Sequence, residues 1–288
     1  MKTKMNFQFT ETNGITLHTA VAGPEDGPLV ILLHGFPEFW YGWRNQIEPL
    51  ARAGYRVIVP DQRGYNLSDK PMGIKNYTID KLRDDIIGLI HASGREKASI
   101  IGHDWGGAVA WYLTATKPEL VERLIAINIP HPEAMKKIML RYPPQWLKSS
   151  YMAFFQLPQL PEAVLAGNNY GPMKQALLKT SKREVFSDSD LKKYEEAWSQ
   201  ESSITAMLNW YRAIRYGGLS AFDGEKIDVP VKIIWGMGDQ FLSMKSAKAS
   251  LEYCENGELI FAGEATHWVN HEQPLLINKQ IIEFLSKD

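Results

Sequence analysis

The sequence predicts an α/β protein: a mostly parallel, twisted sheet covered by helices on both faces, with a helical cap inserted late in the chain. Three observations carry that prediction. Short apolar runs such as Leu29-Val30-Ile31-Leu32-Leu33 and Val231-Lys232-Ile233-Ile234-Trp235 do not alternate in and out, so they read as strands buried on both sides. Helical patterns fall between these runs, as a sheet with crossover helices requires. The alternation then stops between Pro130 and about Lys226, where aromatics and prolines replace β-branched runs.

Taken in order, Phe7 to Thr10 and Ile15 to Ala22 form a hairpin through Asn13-Gly14, a dipeptide suited to positive φ. Strands follow at Leu29 to Leu33, Val57 to Val59, Ser99 to Ile101 and Leu124 to Ile127, and after the interruption at Val231 to Trp235 and Leu259 to Phe261. Helices are expected at Ile47 to Ala53, Ile79 to Ile90, Gly107 to Ala115, Ser246 to Tyr253 and Pro274 to Leu285. Tyr142-Pro143-Pro144, Leu157-Pro158 and Leu160-Pro161 punctuate the interrupted stretch into short helical pieces. Residues 1–130 are therefore the first part of the sheet domain, 131–226 the cap, and 227–288 the return to the sheet.

The bulk numbers exclude several classes. A chain of 288 residues with 44% hydrophobic and 23% charged residues is ordinary for one large soluble domain. Its net charge of −1 leaves no electrostatic footprint for nucleic acid or an anionic membrane. The start, Met1 to Phe7, lacks the apolar run of a signal peptide, and no later run spans a bilayer, so a cytoplasmic protein is expected. The lone Cys254 excludes an internal disulfide and any cysteine metal spacing; it reads as a plain helix-face residue. No metal or organic cofactor is implied, and nothing in the pattern fixes an oligomeric state.

The chemistry lies in Gly102-His103-Asp104-Trp105-Gly106-Gly107, directly after an apolar strand. That spacing is a nucleophile elbow, a sharp strand-to-helix turn that holds one side chain up in a strained pose between glycines. The central residue is Asp104, where esterases carry serine. A carboxylate is a poor acyl-transfer nucleophile, but it can displace a leaving group from saturated carbon and so form an alkyl ester. A helix N-terminus keeps it ionised. His34-Gly35-Phe36-Pro37 follows the Leu29 to Leu33 strand. The amides of Phe36 and Trp105 then make an oxyanion hole, with Phe36-Pro37 a candidate cis peptide. His34 is read as orienting that loop, and with Pro37 and Trp105 it is placed beside the substrate.

His267, after the last strand, is the candidate general base, ahead of His271 and His131. Asp239, after the preceding strand, is the acid that orients it. The rival position at the end of the Leu124 to Ile127 strand holds the uncharged Asn128. Asp61 and Arg63 are expected to pair structurally near the elbow. Trp40, Trp43, Phe154, Phe155 and Trp198 are candidates to line an apolar pocket, Phe154 and Phe155 first among them.

His34-Gly35-Phe36-Pro37-Glu38, Asp61-Gln62-Arg63-Gly64-Tyr65, the elbow and Leu208-Asn209-Trp210-Tyr211-Arg212 together resemble the epoxide-hydrolase branch of the α/β-hydrolase superfamily. The resemblance covers essentially the whole chain, cap included. It implies two cap tyrosines that hold the epoxide oxygen: Tyr211 by motif, and Tyr151 more loosely, with Tyr142 and Tyr170 as competitors. The implied partners are a small apolar epoxide and water, with neither nucleic acid nor membrane. Haloalkane and fluoroacetate dehalogenases are close rivals that would take an organohalide. The first usually carry Asn where Phe36 stands, and the second carry Arg where Trp105 stands. A non-catalytic small-molecule receptor of the same fold is the remaining alternative, disfavoured by an intact triad.

Overall fold

The computed structural model describes residues 4–217 and 226–287. Eight strands form one sheet: β1 (Asn6–Thr12), β2 (Ile15–Ala22), β3 (Leu29–Leu33), β4 (Arg56–Pro60), β5 (Ala98–His103), β6 (Val121–Ile127), β7 (Val231–Gly236) and β8 (Gly257–Ala262). Their order is β1-β2-β4-β3-β5-β6-β7-β8. The β1–β2 and β2–β4 pairs are antiparallel and the remaining pairs parallel. The hairpin turns at Asn13 (φ 45) and Gly14 (φ 73), as the dipeptide predicts.

The central strands β3, β5 and β7 are buried along their whole length, because both faces are covered. On one face Val30, Leu32, Ile101, Ile125, Ile127 and Ile234 pack under α1 (Arg44–Arg52) and α12 (Pro274–Leu285). On the other, Ile31, Leu33, Ile100, Leu124 and Ile233 pack against α2 (Ile79–Ala92) and α3 (Trp105–Thr116). Alternate residues of one strand thus belong to two cores, which is why neither strand shows a polar side.

Among the described residues, six α-helices lie between β6 and β7: α4 (Pro132–Arg141), α5 (Pro143–Lys148), α6 (Tyr151–Phe154), α7 (Leu160–Thr180, kinked at Gly167–Tyr170), α8 (Asp188–Trp198) and α9 (Ser203–Ala213). After β7 come α10 (Met244–Ser250) and, following β8, α11 (Val269–Glu272). The expected helix from Ser246 to Tyr253 is α10 followed by a 3-10 turn over Leu251–Tyr253. Cys254 is therefore not on a helix face. It is buried in extended backbone and bridges Ile227, and burial pushes its thiol up to about 12.

The expected Asp61–Arg63 pair does not form. Arg63 instead makes a two-pronged ion pair with Asp85 on α2, at 2.7 and 2.5 Å. Asp61 accepts from His18, Asn66 and the Trp40 amide. Both lie in the turn after β4, where each side chain takes the partner that packs beside it.

Candidate active site

β5 ends at His103, and Asp104 follows with φ 50 and ψ −125, a conformation that costs energy for a side chain bearing a Cβ. The turn closes because its neighbours are bare. A Cβ on Gly106 would sit 2.2 Å from the Leu33 carbonyl oxygen, and one on Gly102 would sit 2.4 Å from the Gly106 carbonyl oxygen. Asp104 Oδ1 accepts the Phe36 amide at 2.9 Å, so the loop after β3 grips the carboxylate directly. Gly35 lies close enough that a Cβ there would meet the Asp104 Cβ at 2.4 Å. Trp105 opens α3, so the amide end of that helix faces the same acid. The Phe36-Pro37 bond is cis.

His267 stands after β8, with Nε2 3.6 Å from Asp104 Oδ2 and Nδ1 donating to Asp239 Oδ2 at 2.8 Å. Asp239 is fixed from its other side by the amides of Phe241 (2.7 Å) and Leu242 (2.9 Å) on Oδ1. Asn128 donates to Asp239 Oδ2 at 2.6 Å and accepts the Gly236 amide on its own Oδ1. The rival position thus braces Asp239. Gly236 lets the two loops touch, since a Cβ there would come within 1.9 Å of the Thr266 carbonyl oxygen.

Burial opposes charge on all three groups, yet each stays ionised. Burial raises Asp104 and Asp239, but His267, together with His103 and the Phe36 amide at Asp104 and with Asn128 and the Leu242 amide at Asp239, leaves both carboxyls below their ordinary value. Burial lowers His267, but the charge of Asp239 and the contacts with Asp104 carry it up to about 10. The resting site is a carboxylate–imidazolium–carboxylate row, a coupled titration that belongs to the group as a whole.

The insertion supplies Tyr151 on α6 and Tyr211 on α9. The Tyr211 ring meets Trp105 edge-on at 5.1 Å, Phe36 at 5.4 Å and Phe155 at 5.0 Å, and lies 6.0 Å from Tyr151. Burial and the nearby Asp104 charge hold both phenols protonated, well above their usual range. The residues flanking Tyr211 are the anchors. Trp210 Nε1 donates to the Arg63 carbonyl at 2.9 Å, tying α9 to the sheet domain. Arg212 donates to the Phe155 and Leu157 carbonyls and to Glu162, which fixes the end of α6. Lys148 reaches the Asp239 carbonyl at 2.6 Å.

Asp104, Trp105, Tyr151 and Tyr211 face one cavity of about 400 Å³. Four of the residues placed beside the substrate do not line it. His34 is fully buried, its Nδ1 with the Gly35 carbonyl and its Nε2 accepting the Gln62 amide, so it only orients the loop. The Pro37 carbonyl accepts Trp198 Nε1. Phe155 packs behind Tyr211 and Tyr151, and Phe154 packs on Phe155. Trp43 and Trp198 are core, and Trp40 packs against it. Tyr142 and Tyr170 also lie off the cavity: Tyr142 sits under Lys245, Tyr170 against Trp198. His131 caps α4 by accepting the Glu133 amide, and burial lowers it to about 4.

One group had no signal in the sequence. Glu38 is buried and accepts from Tyr194 (2.6 Å) and His271 (2.7 Å), with His103 Nδ1 3.5 Å from its other oxygen. His103 Nε2 in turn donates to the His267 carbonyl at 2.8 Å. This chain of contacts joins the loop after β3, the elbow, α8 and the loop carrying His267. Burial opposes the Glu38 charge, and His271 and His103 keep the carboxyl well below its ordinary value. Glu38 is next to Pro37 in sequence, but its partners are 65 to 233 residues away.

Comparison with known proteins gives the family. The family model described as alpha/beta hydrolase fold matches residues 28–274. A Bacillus subtilis (strain 168) protein, the AB hydrolase superfamily protein YfhM, is 60% identical over 278 residues, which cover 96% of this chain and 97% of that one. Human epoxide hydrolase 4 is 36% identical over 96% of this chain and 77% of its own length. The crystal structure of Bacillus megaterium epoxide hydrolase in complex with an inhibitor superposes with a TM-score of 0.90 at 30% identity, covering 97% of this chain and 100% of that one.

Proposed function

The chain belongs to the α/β-hydrolase superfamily, on its epoxide-hydrolase-like branch, and from that premise we propose that it opens epoxides to vicinal diols through an ester on Asp104. The observation that carries the proposal is the meeting of Asp104 with two protonated phenols, Tyr151 and Tyr211, across one cavity. Residues 131–226 act as a cap whose task is to bring those phenols over the acid.

The protons balance over the cycle. Asp104 attacks an epoxide carbon, the C–O bond breaks, and the released oxygen takes a proton from Tyr151 or Tyr211. Ester formation removes the Asp104 charge, and with it part of what holds the proton on His267. His267 then returns a proton to the phenolate and becomes the neutral base. It takes a proton from water, which attacks the ester carbonyl, while Asp239 steadies the imidazolium. The Phe36 amide, with that of Trp105, stabilises the tetrahedral oxyanion. Collapse passes the hydroxyl proton to the departing diol, and the carboxylate–imidazolium pair is restored.

The dehalogenase readings lack their usual halide or carboxylate partners: Phe36 stands where haloalkane enzymes carry Asn, and Trp105 where fluoroacetate enzymes carry Arg. The receptor reading has no use for an ionised acid in a strained turn beside an imidazolium.

The test is His267→Gln with a reactive epoxide. The intact protein should gain the mass of one epoxide, mapped to Asp104, and absence of the adduct overturns the ester route. Turnover in heavy-oxygen water should place label in the Asp104 carboxylate before the diol carries it from a later cycle. In Asp104→Asn, the imidazole of His267 should titrate lower than in the parent protein, read by NMR.

A further inference from the structure

Away from the acid the cavity runs along α3 and α4, with Tyr77, Ile79, Leu82 and Ile214 completing its wall. On α3 its wall is Trp105, Ala108 and Tyr112, spaced three and four residues apart so that they share one helical face. At 1.5 Å per residue the run from Trp105 to Tyr112 is about 10 Å. The facing wall is α4, where Met135 and Met139 are also four apart. The Tyr112 hydroxyl is turned out of this space, donating to Asp80 at 2.7 Å, so the phenol presents its ring.

Beyond the acid, on the far side of the phenols, the rings of Phe36, Phe155 and Phe241 close up. Phe155 lies 5.5 Å from Tyr151 and 5.6 Å from Phe36, Phe241 lies 5.1 Å from His267, and none of the three lines the cavity. Apart from Asp104, the one charged side chain among the described lining residues is Lys136, and it is already 3.7 Å from Glu133.

We infer that the site takes epoxides bearing a single long, uncharged apolar arm, laid between α3 and α4, and that Tyr112, Met135 and Met139 set its length. The inference rests on the epoxide reading for the chemistry but on the cavity alone for the arm. A ring held between Asp104 and the phenols has room for a substituent on one carbon. The second carbon faces the aromatic wall. Methionine suits such a wall because its thioether adapts to tails of different shape.

The experiment is a series of terminal epoxides with tails from methyl to decyl, run beside the matching diols, whose binding is followed by Trp105 fluorescence. The expected kcat/KM and diol affinity climb roughly fourfold for each CH₂ buried and level off once the tail outgrows the arm. Internal epoxides with the same carbons split over both ring atoms should be at least about tenfold poorer than the terminal isomer. Met139→Trp, at a partly exposed position that tolerates the change, should lower the octyl-to-methyl ratio about tenfold. A carboxylate at the end of the tail should bind no tighter than the neutral tail. Flat dependence on tail length in both turnover and diol binding overturns the arm. So does an equal effect of Met139→Trp on long and short tails, or a carboxylate preference above about tenfold. Diol affinity that climbs with tail length in a protein that opens no epoxide leaves the arm standing and removes the epoxide reading.

Discussion

In the sheet domain, Asp104, Asp239 and His267 each follow the C-terminal end of a strand, and backbone groups hold them: the Phe36 amide, the Phe241 and Leu242 amides, and glycines too close to a neighbour for a Cβ. In the insertion, Tyr151 and Tyr211 are held by ring packing and by Arg212, Trp210 and Gln156 reaching carbonyls. The first half is set by main-chain geometry, which tolerates little error. The second is set by side chains packed on side chains, which can shift as a unit. The carboxylates and the imidazole are thus held by one layer of the molecule, and the two phenols belong to a separate layer of helices.

The largest expected effect breaks the rigid half. Asp104→Asn should cost about 10⁴-fold or more in kcat while the melting temperature stays close to that of the parent. A residual rate near the parent's means that the carboxylate is not the nucleophile. Next, Tyr211→Phe should slow ester formation about 10²- to 10³-fold in a single turnover and leave ester hydrolysis unchanged. Tyr151→Phe, at the less enclosed ring, should cost less; equal losses in both steps would mean the cap positions the base as well as the oxygen. Gly35→Ala sharpens the contrast, because its Cβ would push on Asp104 without touching the core. A displacement of that kind should lower kcat about 10²-fold with little change in melting temperature.

The smallest effect is a pH dependence of stability. His267 is raised from 6.5 to about 10 in the folded protein, so its stabilisation is complete below pH 6.5 and is lost as pH climbs toward 10. The difference in melting temperature between the parent and His267→Gln should shrink over that interval. A gap that widens instead contradicts the imidazolium assignment.

Most of the rigid half was legible in the chain itself. Gly-x-Asp-x-Gly after an apolar strand, Phe36-Pro37 after another, and Asp239 and His267 after the last two are local patterns whose physics is complete within about ten residues. The cap was legible only through its resemblance to a family, since nothing in spacing separates Tyr151 from Tyr142 or Tyr170. His34, Pro37, Phe154 and Phe155 were placed beside the substrate because they neighbour residues that are. The fold turns them inward, where loop and ring contacts satisfy them.

Sequence alone determined the layered sheet, the strained turn at Asp104 and the placing of Asp104, Asp239 and His267 after strand ends, because steric limits and hydrogen-bond periodicity act between near neighbours. Tertiary structure alone decided that Arg63 pairs with Asp85, that Glu38 gathers Tyr194, His271 and His103, that Asn128 braces Asp239, and that Asp104, Tyr151 and Tyr211 share one cavity. Each of those depends on which distant surfaces are pressed together, and a partner dozens to hundreds of residues away leaves no periodic trace in the chain.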